Sequence, residues 1–285
     1  MFRLMAGAIM ISFSAVFVKL TTVEPTVSAF YRMFFGGLIL AALVVIRREP
    51  VWFGKRVLGI IAVAAVFFAG DLFFWHHSIL FVGPGLATLL ANFQVFLLAL
   101  AGLWLFREPL RWEIVVSIPL AMAGLSLLVG MDWFSLPGDY RLGVGFGLLA
   151  AWCYAAYILC LRASRVSQVA PSSIAVIAPL SLCCALILAV VVVVQGESFV
   201  IPSGKDAAVL LSYGIVAQVL GWVFISQGIA RVSASQAGLI LLLQPTLSFV
   251  WDVTFFGRQF TPVEGAGALL ALMAIYLGSR QPVRQ

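Results

Sequence analysis

Charge is what this chain has least of. Asp, Glu, Lys and Arg make up 10% of its 285 residues, against about a quarter in soluble domains. Histidine occurs twice, cysteine four times, and neither a CxxC pair nor a His/Cys ligand spacing occurs. Those absences leave no zinc ribbon, redox pair or disulfide framework to read, and no metal or other cofactor is expected. Cys153, Cys160, Cys183 and Cys184 all sit within apolar runs and read as small packing residues. Long polar stretches are missing too, so no soluble domain fits anywhere along the chain. What is abundant is apolar surface: 63% hydrophobic residues and a mean hydropathy of +1.13 identify an integral membrane protein whose first partner is a lipid bilayer. The net charge of +6 does not mark a nucleic-acid surface, because Lys and Arg fall between apolar runs instead of gathering on one face.

Ten apolar stretches, approximately 4–20, 25–46, 57–80, 84–106, 110–129, 142–162, 171–194, 205–229, 233–256 and 261–279, are each long enough to cross a hydrocarbon core of about 30 Å as a helix. Breaks rich in Gly, Pro and charge separate them, among them RREPVWFGKR at 47–56 and MDWFSLPGDYR at 131–141. The first stretch has no small-residue cleavage site, so it reads as a retained span. With the N-terminus inside, twelve basic residues fall on the cytoplasmic side, from Arg3 through Arg47, Arg48, Lys55, Arg56, Arg107, Arg111, Arg162, Arg165, Arg231 and Arg280 to Arg284. The opposite side holds Lys19, Arg141, Lys205 and Arg258, and Arg32 lies within the second span. That asymmetry predicts cytoplasmic termini at both ends.

Sliding the chain by 150 residues sets identical residues opposite one another, among them Phe74 on Phe224, Ala87 on Ala237, Gln94 on Gln244 and Ala121 on Ala271. Span boundaries coincide under the same shift. The reading is therefore an all-α membrane protein of two five-helix repeats, 1–130 and 142–285, joined by a periplasmic linker at 131–141. Five spans is an odd number, so the repeats are inverted, a plan secondary transporters use to alternate access.

The stretch ASQAGLILLLQPTLSFVWDVTFFGRQFTPVEGAGALLALMAIYLG (234–278) resembles the EamA-type domain of the drug/metabolite transporter superfamily. GPGLATLLANFQVFLLALAGLWLFREPLRWEIVVSIPLAMAGLSLLVG (83–130) shows the same plan, and AFYRMFFGGLILAAL (29–43) is similar to that family's second helix, with its Arg at position 32. In two places the chain departs from the family pattern. The acidic residue Glu108 has Arg258 as its counterpart, and the proline of one repeat survives as Pro245 while the other has Gln94 nearby. The mid-span Trp and Tyr residues suggest the YddG-like amino-acid exporters within the superfamily. That resemblance implies a non-enzymatic carrier exporting aromatic and other neutral amino acids, or another small metabolite or drug, through a bacterial inner membrane. It implies nothing about oligomeric state.

Independently of any family, a substrate site between inverted repeats is expected at mid-depth. Polar or amphipathic residues there are Ser12 and Ser14, Trp75, Asn92 and Gln94, Trp152, Tyr154 and Tyr157, Gln218 and Trp222, and Gln244. The amides serve equally as ligands or as hydrogen-bonding glue between helices, and Trp and Tyr serve also as interfacial anchors. Asp71, Trp75 and Ser78 share one helical face by their i, i+4, i+7 spacing.

FFAGDLFFWHHSILFVG (67–83) sets Asp71, His76 and His77 in an otherwise apolar run. Asp71 and Arg32 lie at matching depth, about 10 to 14 Å below the outer span ends. A lone charge there costs about 2.5 to 3.5 kcal/mol or more, so pairing between them or solvation by a cavity is expected. Either they brace two helices, or with His76 or His77 they face a vestibule and meet a zwitterion. Asp252, near the outer end of the ninth span, is expected to be solvated. An intramembrane enzyme, the reading from another class, would need a nucleophile, base or metal set that these residues do not assemble.

Overall fold

The computed structural model describes residues 2–50, 54–105, 112–129, 137–165, 172–229, 241, 243–257, 259 and 261–279. Among these residues there are helices and no strand. Most of the expected 131–141 linker lies outside the described residues, as do Arg107, Glu108, Arg111, Arg231, Arg258, Arg280 and Arg284.

The first expected span is two helices, α1 (Phe2–Ser12) and α2 (Ser14–Leu20), separated at Phe13. The Phe13 N–H turns back to the Met10 carbonyl at 3.3 Å, and the Ser12 hydroxyl donates to the Ile9 carbonyl at 2.6 Å. These i→i−3 bonds tighten the chain by a fraction of a turn. α3 (Pro25–Ile46) and α4 (Lys55–Val82) are continuous. Gly83, at φ 81°, turns the chain into α5 (Pro84–Ala91) in a conformation that side-chain-bearing residues rarely adopt. Pro84 opens α5 where its missing N–H leaves no bond unmade. Asn92 and Phe93 make another i→i−3 turn, onto the Leu89 and Leu90 carbonyls, before α6 (Gln94–Leu105).

There follow α7 (Trp112–Val129), α8 (Gly138–Arg165), α9 (Ser173–Gln195) and α10 (Gly204–Tyr213). α10 runs into a π-helical segment, Gly214–Gly221, and then α11 (Trp222–Ile229). α12 (Leu243–Phe256) and α13 (Pro262–Ser279) complete the described helices. Among the described residues six stretches are long and apolar enough to cross a membrane: Phe2–Leu20, Pro25–Ile46, Lys55–Val82, Gly138–Leu161, Ser173–Gln195 and Gly204–Gly228. Shorter helices occupy the other expected stretches.

The helix partners are set across the chain. α3 packs on α9, α4 on α8, α5 on α12, α7 on α13, and α1 on α11 and the π-helical segment. Each pairing joins a helix of residues 1–130 to one that begins at Gly138 or later, α8 starting inside the expected linker, so the space enclosed by the bundle lies between the two halves. Lipid supplies no hydrophobic drive between helices, and close approach at small residues does that work. A Cβ on Gly124 would stand 2.6 Å from the Ala271 amide, and one on Gly36 2.6 Å from Gln218 Cβ. Gly145, by contrast, has open space beside it. Met33, Leu40, Phe68, Leu72, Ile177 and Leu180 fill one core cluster, while Leu38, Val45, Leu186 and Val190 lie exposed on the outside, as a lipid-facing surface requires.

Candidate functional site

α4 presents Phe68, Asp71, Leu72 and Trp75, spaced i, i+3, i+4 and i+7, to a cavity of about 60 Å³. Three irregularities of the helices surround it. Ile11, Ser12, Ser14 and Ala15 line it from the α1/α2 break, Ala91 and Asn92 from the α5/α6 break, and Trp222 from the end of the π-helical segment. Arg32 on α3, Thr88 on α5, Tyr154 on α8, and Gln244 and Ser248 on α12 complete the wall. Irregular backbone at membrane depth is tolerated where it lines a cavity or is buried in protein, and both halves of the chain contribute to this one.

Polar atoms on the wall are wired to one another. Trp75 Nε1 donates to Thr88 Oγ1 at 3.3 Å, and that hydroxyl bonds the Pro84 carbonyl at 2.7 Å and lies 3.1 Å from Ser248 Oγ. Asn92 Nδ2 donates to the Thr88 carbonyl at 2.8 Å. Gln94 and Gln244 both reach the Tyr154 hydroxyl. Trp251 Nε1 donates to Ser12 Oγ at 3.0 Å, and its ring stacks on Phe13 at 4.8 Å, holding the α1/α2 break against α12.

Arg32 and Asp71 are 3% and 8% exposed and line the same cavity. Of the two arrangements expected at their depth, a direct pair or a shared cavity, they stand on a shared cavity; among the described residues no salt bridge joins them, although Arg32 stays within electrostatic reach of Asp71. The reason is a competing partner. An Arg32 guanidinium N–H donates to the Tyr213 hydroxyl at 3.0 Å, with the guanidinium carbon 5.0 Å and 5.7 Å from the ring centres of Tyr213 and Phe68. His76 joins this arrangement through Tyr213, at 3.3 Å from its Nε2, and its Nδ1 meets the Leu72 carbonyl at 2.7 Å. His77 does not join: it sits against Phe73 and Phe146, with Nδ1 2.8 Å from the Phe73 carbonyl.

Ser14, Trp75, Asn92, Tyr154, Trp222 and Gln244 are thus brought together on one wall. Other expected site residues are elsewhere. Trp152 is 67% exposed, because it stands two residues from Tyr154, about 200° around the helix, and α8 turns the Tyr154 face inward. Gln218 is buried as helix-to-helix glue, donating to Ser181 Oγ at 2.8 Å, and Ser78 donates to the Gly143 carbonyl at 2.8 Å. Tyr157 lies behind the wall, stacked on Phe68 at 4.3 Å, and Gln94 is buried outside the lining set. Asp252 is not solvated: it is 1% exposed. Sequence reasoning missed Tyr213, Thr88 and Ser248, whose only signal was a polar atom inside an apolar run.

A model of the EamA-like transporter family matches residues 1–130 and again 141–280. A solved chain described only as a crystal structure of a protein is 20% identical with a TM-score of 0.72, over 97% of this chain and 94% of that one, a likeness of fold. No curated protein matches.

Proposed function

The chain belongs to the EamA-like transporter family, a family of small-molecule membrane transporters, and from that premise we propose that it moves zwitterionic metabolites, foremost aromatic and other neutral amino acids. The observation that carries this reading is the pair of unlike charges, Arg32 and Asp71, lining one cavity without a salt bridge between them. Each is costly at that depth. An α-amino acid offsets both at once, carboxylate toward Arg32 and ammonium toward Asp71, through charge-assisted bonds stronger than neutral ones. Phe68, Trp75, Tyr154 and Trp222 then face its side chain, and Asn92 and Gln244 supply orienting amides.

The carrier reading also takes the chain as ten spans in two inverted five-helix repeats, with both termini in the cytoplasm of a bacterial cell and export through the inner membrane. The helix partnerships support it, since exchanging the halves maps α3–α9, α5–α12 and α7–α13 onto themselves and α4–α8 onto the packing of α11 and the π-helical segment on α1. At about 60 Å³ the cavity has room for a few waters, so the helices part to admit a substrate and alternate access by moving one repeat against the other. Purified protein in liposomes tests the function. Saturable efflux of labelled tryptophan or phenylalanine is expected, blocked by the unlabelled zwitterion and not by the matching carboxylic acid without its amino group. Equal block by both, or no protein-dependent flux of any neutral amino acid, rejects the reading.

A further inference from the structure

Lys19, Gly85 and Asp252 meet beyond one end of the cavity. Asp252 Oδ1 is 3.5 Å from Lys19 Nζ, and Oδ2 accepts the Gly85 N–H at 3.2 Å. The Gly85 amide belongs to the first turn of α5, where helix N–H groups have no partner within the helix and a carboxylate is favoured. The Lys19 ammonium also lies 4.6 Å from the centre of the Phe256 ring. Ala15, Thr88 and Ser248 line the cavity. Lys19 follows Ala15 by four residues, Gly85 precedes Thr88 by three, and Asp252 follows Ser248 by four. All three groups therefore stand about one helical turn, some 5 to 6 Å, beyond the cavity wall on the same side.

We propose that Lys19, Asp252 and the Gly85 amide form a latch that closes the outer mouth of the transport path and opens once per cycle. It ties α2 and α5 of the first half to α12 of the second, across the seam that alternating access must open. Its contacts suit a latch more than a brace. Lys19 is 42% exposed at its side chain, and an ion pair with one partner in solvent contributes little. Asp252 is sealed at 1% exposed, so opening the mouth returns its carboxylate to water, and rehydration offsets the broken bonds. The opposite end is closed differently. There α1 meets the π-helical segment and α11 through small residues, with a Cβ on Gly7 2.8 Å from the Gly221 carbonyl and one on Gly228 2.6 Å from Leu4 Cβ.

The inference rests on the carrier reading for its direction, and its test needs no substrate. Ala91→Cys, on the cavity wall, is placed in protein whose four native cysteines are replaced by alanine. Its labelling by a charged, membrane-impermeant methanethiosulfonate is timed in right-side-out and inside-out vesicles. Asp252→Ala removes both latch contacts, Asp252→Asn keeps an acceptor for the Gly85 amide, and Lys19→Met removes only the ammonium. Labelling from the outer face is expected to rise about tenfold in Asp252→Ala, with smaller rises in the other two. Unchanged labelling from both faces in all three variants, even with lowered thermal stability, makes the cluster a static brace and overturns the latch. A rise confined to inside-out vesicles keeps a latch and overturns the outward orientation. If Asp252→Ala fails to fold, the solvent-side variant Lys19→Met carries the same test. Absence of amino-acid flux would reject the proposed substrate and leave this labelling result standing.

Discussion

The Tyr213 hydroxyl accepts an N–H from the Arg32 guanidinium at 3.0 Å, with both residues buried and 181 positions apart in the chain. The bond sets the direction of a longer chain of donors. His76 Nδ1, 2.7 Å from the Leu72 carbonyl, carries the proton there, which leaves Nε2 to accept the Tyr213 O–H at 3.3 Å. A neutral His76 in that tautomer satisfies every link. Tyr213 therefore holds Arg32 beside the cavity and away from Asp71.

Tyr213→Phe tests that holding role. The change leaves an Arg32 N–H and His76 Nε2 without their partner, a loss of about 1 to 3 kcal/mol for buried groups. The thermal midpoint is expected to fall, and the KM for amino-acid flux to rise more than the maximal flux falls, because a released guanidinium is free to turn away. A lowered midpoint with KM unchanged would make Tyr213 a packing residue only.

Asp71→Asn separates recognition of the ammonium from support of the fold. A charge-assisted hydrogen bond contributes about 1.5 to 3 kcal/mol, so apparent affinity for a neutral amino acid should drop about 10- to 100-fold. Block of transport by the matching carboxylic acid without its amino group should strengthen, since the repelling carboxylate is gone. Competition assays on purified protein measure both, and parallel losses for the two ligands would count against Asp71 as the ammonium partner.

Two tryptophans should part company. Trp222 is 1% exposed and meets Phe68, Tyr157 and Tyr154 at 5.3, 5.1 and 6.1 Å between ring centres. Trp222→Ala is expected to cost about 3 to 5 kcal/mol of stability and most of the transport. Trp152, 67% exposed, loses little on the same change, within about 0.5 kcal/mol. Flux and detergent melting at matched expression give the comparison, and wild-type flux in Trp222→Ala would take the aromatic wall out of the substrate path.

Topology has its own readout. A reporter fused after Arg284 should be active on the cytoplasmic side, and one inserted at 131–141 on the opposite side, as the twelve-to-four division of basic residues requires. Finding the two on the same side of the membrane would end the inverted-repeat reading.

Much of the architecture was legible in the chain because a bilayer allows few solutions. Backbone groups in hydrocarbon must bond within their own segment, so long apolar runs become helices, as α3, α4 and α9 did. The α4 face bearing Asp71 and Trp75 was legible for a related reason: helical spacing puts them on one side whatever the partner. The breaks were hidden. ISFSAV around Phe13 and LANFQV around Asn92 contain neither Gly nor Pro, and a change of a fraction of a turn depends on what stands beside the helix, here Trp251 on Ser12.

By itself the sequence determined that this is a membrane protein of apolar helices, with scarce charges displayed at mid-depth, because burial in lipid constrains composition and segment length directly. Only the tertiary structure decided which of those charges and rings share a space. A helix side chain acquires its neighbour from another helix, and Arg32 faces Tyr213 of the other half of the chain instead of bridging to Asp71. The rotation of α8 that sends Tyr154 inward and Trp152 outward was settled by packing against α4 and α5. The burial of Asp252 beneath Lys19 came from three helices meeting. Those outcomes depend on the relative rotation of helices far apart in the chain, which no local pattern of residues specifies.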